Sequence, residues 1–561
     1  MARRVRLRPW QKRALDLLAA SSDPDFLTVA TPGAGKTTFA LCAAVHDLAG
    51  NPGRRLVVVA PTSHLKVQWA DAAANFGLHL EPRWSPSGGR LPADVHGIVT
   101  TYQQVASNPD ALRPLAARAL IVLDEIHHAG DDRAWGDAVR RAFEVAPRRL
   151  ALSGTPFRSD TRAIPFVRYV ADEAVPDFEY NYADALADGR VVRPVYFPRI
   201  NGFMEWIAPD GTANAASFDD ALDRVAAAQR LRTALSLDGE WLPTVLLQAN
   251  ERLNAIRRTQ PDAGGLVIAA DQDHAQGIAD LLRYRCGVRA TVAISDDPLS
   301  SSRIARFAAA DDPWIVAVRM VSEGVDIPRL RVGVYATTTT TDLFFRQAVG
   351  RFVRWTRGVP RQKAYLFIPD DPRLRTWASQ IADARRHSLR RERKPDDADG
   401  PVEPGAELDE LRHEDDRADQ LSLFAPLSAV VTGEDESSVF HLDDDVLDRL
   451  DRDDAREDAG DSALELALPA LPGAKAPPAA AGNAPGDDQP SPRERRMALR
   501  AENARLVQEL VRMTNLTHAQ VNSQLNRLVG LRRIDEATLD QLARRARQAE
   551  QWLAQGAPAR I

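Results

Sequence analysis

Cysteine is almost absent. Cys42 and Cys286 are the only two in 561 residues, which excludes a disulfide framework and a cysteine-built zinc site and suits a reducing cytoplasm. Both read as small buried apolar residues. No run of about 18 apolar residues occurs, so no membrane span is expected. The opening run Met-Ala-Arg-Arg-Val-Arg-Leu-Arg-Pro-Trp is basic but lacks the apolar core of a secretory signal. A large excess of one charge is also missing, with a net of −6. That total hides an uneven distribution. Lys plus Arg minus Asp plus Glu gives +3 over residues 1–371, +6 over 372–395, −21 over 396–492 and +6 over 493–561. The acidity is confined to one stretch, so the total does not exclude a nucleic-acid partner.

What is present is strand-helix alternation. In residues 1–175, apolar runs at Phe26–Ala30, Leu56–Ala60, Gly97–Thr100, Ala119–Leu123 and Leu150–Leu152 are separated by helical patterns such as His64–Phe76. Residues 176–371 repeat the grammar with strands at Leu266–Ala270, Ala290–Ile294, Ile315–Val318, Val332–Ala336 and Ala364–Ile368, and helices including Asp342–Arg354. The expected class is α/β, two tandem doubly wound parallel-sheet domains with ligands at the carboxyl ends of strands. Residues 201–260 read as a less periodic insertion with helical character. Residues 372–395 read as a basic helix, and 396–492 as an acidic, Ala/Pro-rich disordered linker. Residues 493–561 read as a helical module, with Thr517 capping a second helix that ends at Gly530 and Asp535 capping a third. That module fits a DNA reader or a docking site for a protein partner equally well. Deletion of residues 396–561 is expected to leave basal catalysis intact.

Residues 30–37, Ala-Thr-Pro-Gly-Ala-Gly-Lys-Thr, follow an apolar run and open a helix. This is a phosphate-binding loop. Gly33 and Gly35 allow the tight backbone that turns successive N–H groups toward phosphate oxygens, and Thr31 and Ala34 belong to the same loop. The helix start adds its positive dipole end. Lys36 supplies a cation for the outer phosphates of ATP, and the Thr37 hydroxyl, next to Thr38, is placed to bind Mg²⁺.

Asp124-Glu125-Ile126-His127-His128 directly follows the strand Ala119–Leu123. Asp124 there can hold Mg²⁺, and Glu125 can polarise the attacking water. Adjacent histidines point in different directions and no third ligand is evident, so His127 reads as a coupling residue, not a metal ligand. In Leu7-Arg8-Pro9-Trp10-Gln11, about twenty residues before the loop, the Gln11 amide offers the donor and acceptor that match an adenine edge.

With these residues in hand, the chain resembles superfamily 2 helicases of the DExH type, in the group of type III restriction motors and nucleotide-excision-repair helicases. The likeness covers residues 7–371. It implies two RecA-like domains, with Gln11 as the adenine-reading glutamine, Ala30–Thr37 as motif I and Asp124–His127 as motif II. Ser153-Gly154-Thr155-Pro156 stands as motif III, extended by Phe157-Arg158-Ser159-Asp160. Ala60-Pro61-Thr62 and Thr100-Thr101-Tyr102-Gln103 resemble motifs that grip a nucleic-acid backbone. Ser322-Glu323-Gly324-Val325-Asp326 resembles motif V, which implies a backbone contact from Ser322 and nucleotide contacts from Gly324 and Asp326. Gln347–Arg354 resembles motif VI, with Gln347 in the catalytic set.

Arg351 and Arg354 are three apart, so on one helix they would share a face. Across a cleft from the first domain they can act as arginine fingers on the γ-phosphate. The implied activity is ATP-dependent movement along nucleic acid, DNA before RNA on the family likeness. RNA unwinding, and restriction or defence motors that pump duplex without separating strands, remain open, as does a low-ranked ATP-gated clamp.

Overall fold

The computed structural model describes residues 4–85, 91–130, 133–154, 163–170, 173–294, 300–318, 327–356, 358–359, 362–391, 425–431, 464–471, 491–514 and 516–555. The first lobe contains Arg4–Leu7 (β1), Asp25–Ala30 (β2), Arg55–Ala60 (β3), Leu80–Glu81 (β4), Gly97–Thr101 (β5), Ala119–Leu123 (β6), Arg148–Ser153 (β7), the short hairpin of Tyr169–Val170 (β8) and Glu173–Ala174 (β9), and Phe178–Tyr180 (β10). A seven-stranded sheet runs β10-β2-β7-β6-β3-β5-β4, parallel throughout. Strand β6, Ala-Leu-Ile-Val-Leu, is buried at every position, as a sheet covered on both faces requires. The covering helices include Pro9–Ala20 (α1), Lys36–Gly50 (α2), Ser63–Asn75 (α3) and Tyr102–Ser107 (α4).

Register then places the site. Val29 lies opposite Ser153, Ala151 opposite Leu123, Leu123 opposite Val59, and Ala60 opposite Thr101. The residues that follow these strands therefore emerge along one edge, the binding edge of a parallel sheet. Strand β10, which falls in the second module by sequence grammar, joins this first sheet beside β2.

The second lobe holds Val195–Tyr196 (β11), Arg199–Ile200 (β12), Gly202–Ile207 (β13), Ala213–Ser217 (β14), Gly264–Ala269 (β15), Ala290–Ala293 (β16), Trp314–Ala317 (β17), Leu330–Ala336 (β18) and Ala364–Pro369 (β19). Its parallel sheet runs β11-β19-β18-β15-β17-β16, with β12 also on β19. The expected pair of RecA-like lobes is present. Helix Asp342–Val349 (α5) faces the first lobe, and the basic helix spans Pro372–Arg391.

Two of the expected segments also hold strands. The insertion is not merely helical: β13 and β14 pair as a hairpin. Its alternating pattern buries Met204 and Trp206, and the Trp206 indole donates to Gln229 at 2.8 Å. The acidic stretch is not only a linker. Ala425–Val431 (β20) adds a third antiparallel strand to that hairpin, and Leu464–Ala467 (β21) pairs antiparallel with β1. Alternating apolar residues survive locally inside a charge-rich composition, and composition averages conceal them.

The C-terminal module comprises Pro492–Met513 (α6), His518–Leu528 (α7) and Leu539–Gln555 (α8). Thr517 caps α7, accepting from Gln520 N, and Gly530 follows with φ 68°. Thr538, not Asp535, opens α8, its Oγ1 accepting from Gln541 N at 3.2 Å. Leu506, Leu510, Leu525 and Trp552 form the core. Buried Arg545 is held by Asn503, Asn522 and Asn526, and burial pushes its guanidinium down to about 10. The module packs on the first lobe. Arg496 donates to both Asp94 carboxylate oxygens at 2.7 Å, Leu539 N donates to the same carboxylate, and Arg493 pairs with Asp71 at 2.6 Å. Among the described residues, no helix is long and apolar enough to cross a membrane.

Candidate active site

The loop after β2 carries its glycines where the backbone turns left-handed, Gly33 at φ 79° and Gly35 at φ 95°. Gly35 is the N-cap of α2, so Lys36 begins the helix and the dipole end faces the loop. The loop carbonyls are tied from below. Arg8 Nη1 donates to Gly33 O at 3.0 Å and Ala34 O at 2.8 Å, Trp10 Nε1 to Ala34 O at 3.1 Å, and Gln11 Nε2 to Gly35 O at 2.9 Å. Gln11 Oε1 accepts from Arg8 N at 2.8 Å. Both atoms of this buried amide are thus engaged inside the lobe. In this arrangement the Gln11 amide braces the loop. Arg8 and Trp10, quoted in the sequence but given no role there, share that task. Only their nearness to the loop hinted at it.

Asp124 and Glu125 leave β6 at the same edge. Asp124 Oδ2 accepts from Trp69 Nε1 at 2.8 Å, and its carbonyl from Tyr102 OH at 2.9 Å. Burial, then the neighbouring Glu125 charge, raises the proton affinity of Asp124. Glu125 moves the other way. Burial pushes it up, but Lys36 Nζ at 3.1 Å, His127 at 3.7 Å and the Gly154 N–H at 2.8 Å outweigh that. Its backbone is strained, with φ 48°. A desolvated carboxylate pair beside the Thr37 hydroxyl, all lining one cavity, is the donor set a divalent cation relieves. Thr37 and Asp124 are the residues that would hold it, the remaining positions falling to water and phosphate. Among the described residues no cluster of three or more His, Cys, Asp or Glu is set for a metal.

His127 instead joins three segments. Its Nδ1 lies 3.2 Å from Ser153 Oγ, and its Nε2 lies 3.1 Å from Gln347 Nε2 of the second lobe. If the amide nitrogen donates, Nε2 accepts and Nδ1 carries the ring proton.

The second lobe closes the cavity of about 310 Å³, lined by Lys36, Thr37, Asp124 and Glu125 on one side and by Arg351 and Arg354 on the other. Helix α5 ends at Val349, so the two arginines do not share a helix face as expected. Arg351 sits in the following turn, and Arg354 forms a bridge with Val192. Gly350, still helical in backbone, passes close to the phosphate loop, where a Cβ on it would lie 2.6 Å from Pro32 Cγ. The Arg354 stem lies over Gly33. Arg193 fixes this turn. Its N–H donates to Val353 O at 2.7 Å, and its buried guanidinium to Pro328 O at 2.7 Å, Leu330 O at 3.1 Å and Thr356 Oγ1 at 3.1 Å. Burial, with Arg331 and Arg354 nearby, brings it down to about 9. Neither Arg193 nor Trp69 was legible as a site residue, since each acts through a distant partner.

The remaining expected residues fall as follows. Ala34 is buried under the loop, Thr38 is half-buried on α2, and Thr31 lines a neighbouring cavity of about 170 Å³. Thr62 is the N-cap position of α3. Thr100 and Thr101 are buried. Thr100 Oγ1 donates to Gln104 Oε1 at 3.1 Å, and Thr101 Oγ1 accepts from Gln104 N at 3.2 Å. Thr101 caps α4 in a capping box with Gln104, and the Thr100 hydroxyl is tied to the same Gln104. Ser322, Gly324, Asp326 and the motif III residues after Gly154 lie outside the described residues.

Residues 4–158 match the family described as type III restriction enzyme, res subunit. Uncharacterized protein ML1624 of Mycobacterium leprae (strain TN) is 48% identical over 390 residues, which cover 68% of this chain and 65% of that protein. Uncharacterized protein Rv2917 of Mycobacterium tuberculosis (strain ATCC 25618 / H37Rv) is 49% identical over 392 residues, with coverage of 69% and 65%. The chain therefore spans 65% of the length of these curated relatives. Among solved structures, it is similar to the ATP-dependent Type ISP restriction-modification enzyme LlaBIII bound to DNA, at TM-score 0.46 and 14% identity over 68% of this chain and 29% of the other. With its phosphate loop and Asp-Glu-Ile-His turn, the first of the two parallel-sheet lobes carries a domain of the type III restriction enzyme res-subunit family, and in this the chain resembles superfamily 2 helicases.

Proposed function

We propose that the chain hydrolyses ATP between its two lobes and couples the cycle to movement along nucleic acid, with DNA as the track. The observation that carries this reading is the shared cavity, in which Lys36 and Glu125 of one lobe face Arg351 and Arg354 of the other. Lys36 Nζ rests on Glu125 at 3.1 Å. Phosphate entering the loop draws Lys36 away, which returns proton affinity to Glu125 and frees it to orient and deprotonate a water. Mg²⁺, held by Thr37 and Asp124, supplies charge neutralisation at the phosphates. Arg351 and Arg354 stabilise the charge that develops in the transition state. Because they reside on the other lobe, ATP favours closure and hydrolysis releases it. His127, held to Gln347, makes the catalytic turn sensitive to that closure.

The test is ATPase activity with single-stranded DNA, duplex DNA and RNA. Glu125→Gln is expected to lower turnover by at least about 10²-fold while keeping ATP bound, and Lys36→Ala to abolish binding. Stimulation by RNA alone would overturn the DNA assignment. The res-subunit match over residues 4–158 favours a second reading, translocation on duplex without unwinding in a restriction or defence setting. Strand displacement on a forked duplex separates the two. The two cysteines are free, one of them buried, which supports a reducing, cytoplasmic setting.

A further inference from the structure

Strand β1 stands apart from the seven-stranded sheet, and among the described residues its strand partner is β21. Arg4 to Leu7 pair with Ala467 to Leu464. An isolated two-stranded ribbon of this length is marginal at best, so packing must hold it. Leu468, just past β21, is 3% exposed within the core of the first lobe, and Leu466 and Leu471 pack on the same core. The exposed Arg4–Glu465 pair at 3.0 Å adds little. Leu7 is fully buried and runs directly into Arg8, Trp10 and Gln11, the three side chains that hold the phosphate-loop carbonyls. Trp10 is locked in turn by stacking on Tyr180, with ring centroids 5.1 Å apart and planes at 15°. Arg4 is held by a partner 461 residues downstream.

We infer that residues 464–471 act in cis as a positioning strand for the ATP site, fixing β1 and through it the peptide planes of the phosphate loop. Nucleotide affinity then depends on a short apolar segment inside the acidic stretch, and anything that displaces that segment loosens the loop. The inference rests on the ATP-site reading above. It reverses the expectation that removing residues 396–561 leaves basal catalysis untouched.

The experiment uses the full chain with Leu468→Asp, and with the milder Leu468→Ala should the first fail to fold. Two measurements are made. Amide hydrogen exchange of residues 4–11 and 33–36 reports the positioning without reference to turnover, and ATPase kinetics separate KM from kcat. The expected result is faster exchange in both segments, a KM for ATP raised about tenfold and kcat within about twofold, with smaller changes of the same sign for Leu468→Ala. A general loss of packing would instead lower kcat and KM effects together and speed exchange across the β3 and β6 core; that pattern overturns the inference. Unchanged exchange at residues 4–11 and 33–36 also overturns it. If the unmodified chain turns over no ATP, the proposed function fails, while the exchange result still decides whether β21 positions the loop.

Discussion

The two lobes share one architecture but place their chemistry differently. In the first, Asp124, Glu125 and Gly154 directly follow strand ends that sheet register aligns, and Lys36 follows a loop braced by Arg8, Trp10 and Gln11 of the same lobe. In the second, Arg351 and Arg354 sit in an irregular turn beyond α5, and their position depends on the Val192 bridge and on Arg193. A residue fixed by register is robust to change elsewhere. One fixed by a buried side chain is exposed to a single remote substitution. The difference also suits a motor, since the lobe that must arrive and leave carries the more adjustable contact.

The largest expected effect tests the premise of that comparison. Arg354→Ala should lower kcat by about 10³-fold with a modest change in ATP binding, as for an arginine finger supplied from a second domain. Steady-state ATPase with parallel nucleotide-binding measurements reads the split. An equal loss of affinity and turnover would make Arg354 a ground-state contact and remove the asymmetry between the lobes.

Next comes the remote support. Arg193→Met keeps bulk but leaves Pro328 O and Leu330 O without their donor, a loss of about 1–3 kcal/mol. The melting temperature of the second lobe should fall, and kcat should drop about tenfold to a hundredfold while KM for ATP stays near its original value. The first lobe's counterpart is Trp69→Phe, which removes the N–H held on Asp124 and keeps the ring. Because Asp124 also sits on a register-fixed strand, the effect should be smaller, about a fivefold rise in the Mg²⁺ concentration for half-maximal activity. Mn²⁺ binding in the presence of ADP, followed by paramagnetic resonance, gives the same comparison without turnover. If Trp69→Phe proves more damaging than Arg193→Met, register is not what secures the first lobe.

The same contrast explains what was legible. Continuous apolar runs such as Val57-Val58-Val59 and Leu120-Ile121-Val122-Leu123 can only be buried parallel strands here, so the lobes and the strand-end residues could be read from sequence. The turn that follows helix α5 was not legible, because its surroundings, Gly350 against Pro32, include the other lobe. At Thr100 and Thr101 a helix cap and a phosphate grip call on the same kind of hydroxyl, so the sequence alone does not separate the two uses. Strands β20 and β21 were hidden because a few alternating apolar residues are outvoted by the acidic composition around them. Gln11 was placed near the loop correctly, but what its amide faces depends on Arg8 and Gly35, whose proximity is tertiary.

The smallest effect compares how the lobes respond to acid. Each contains a histidine whose Nδ1 accepts a backbone N–H: His96 from His79 N at 2.9 Å in the first lobe, His274 from Ala270 N at 3.2 Å in the second. Burial, then His79 and Arg55, brings His96 down to about 4. Burial also lowers His274, opposed by its bond to Leu235 O and by Asp271. In each case the folded group holds its proton less tightly than the unfolded one, near about 6.5. Below that value the unfolded chain binds more protons, so stability is fully present above it and is lost as pH falls. For His96 the loss continues down to about 4, on the order of 3 kcal/mol. For His274 the opposing contacts make it shallower. Melting curves between pH 7 and 4 should therefore show the first lobe losing stability faster, and His96→Asn, which cannot gain the proton, should flatten that dependence. Parallel, shallow decline of both lobes in the variant would assign the difference to His96. Retention of the difference would move it to the Asp94–Arg496 contact, where a carboxylate beside both His79 and His96 joins the C-terminal module to the sheet edge.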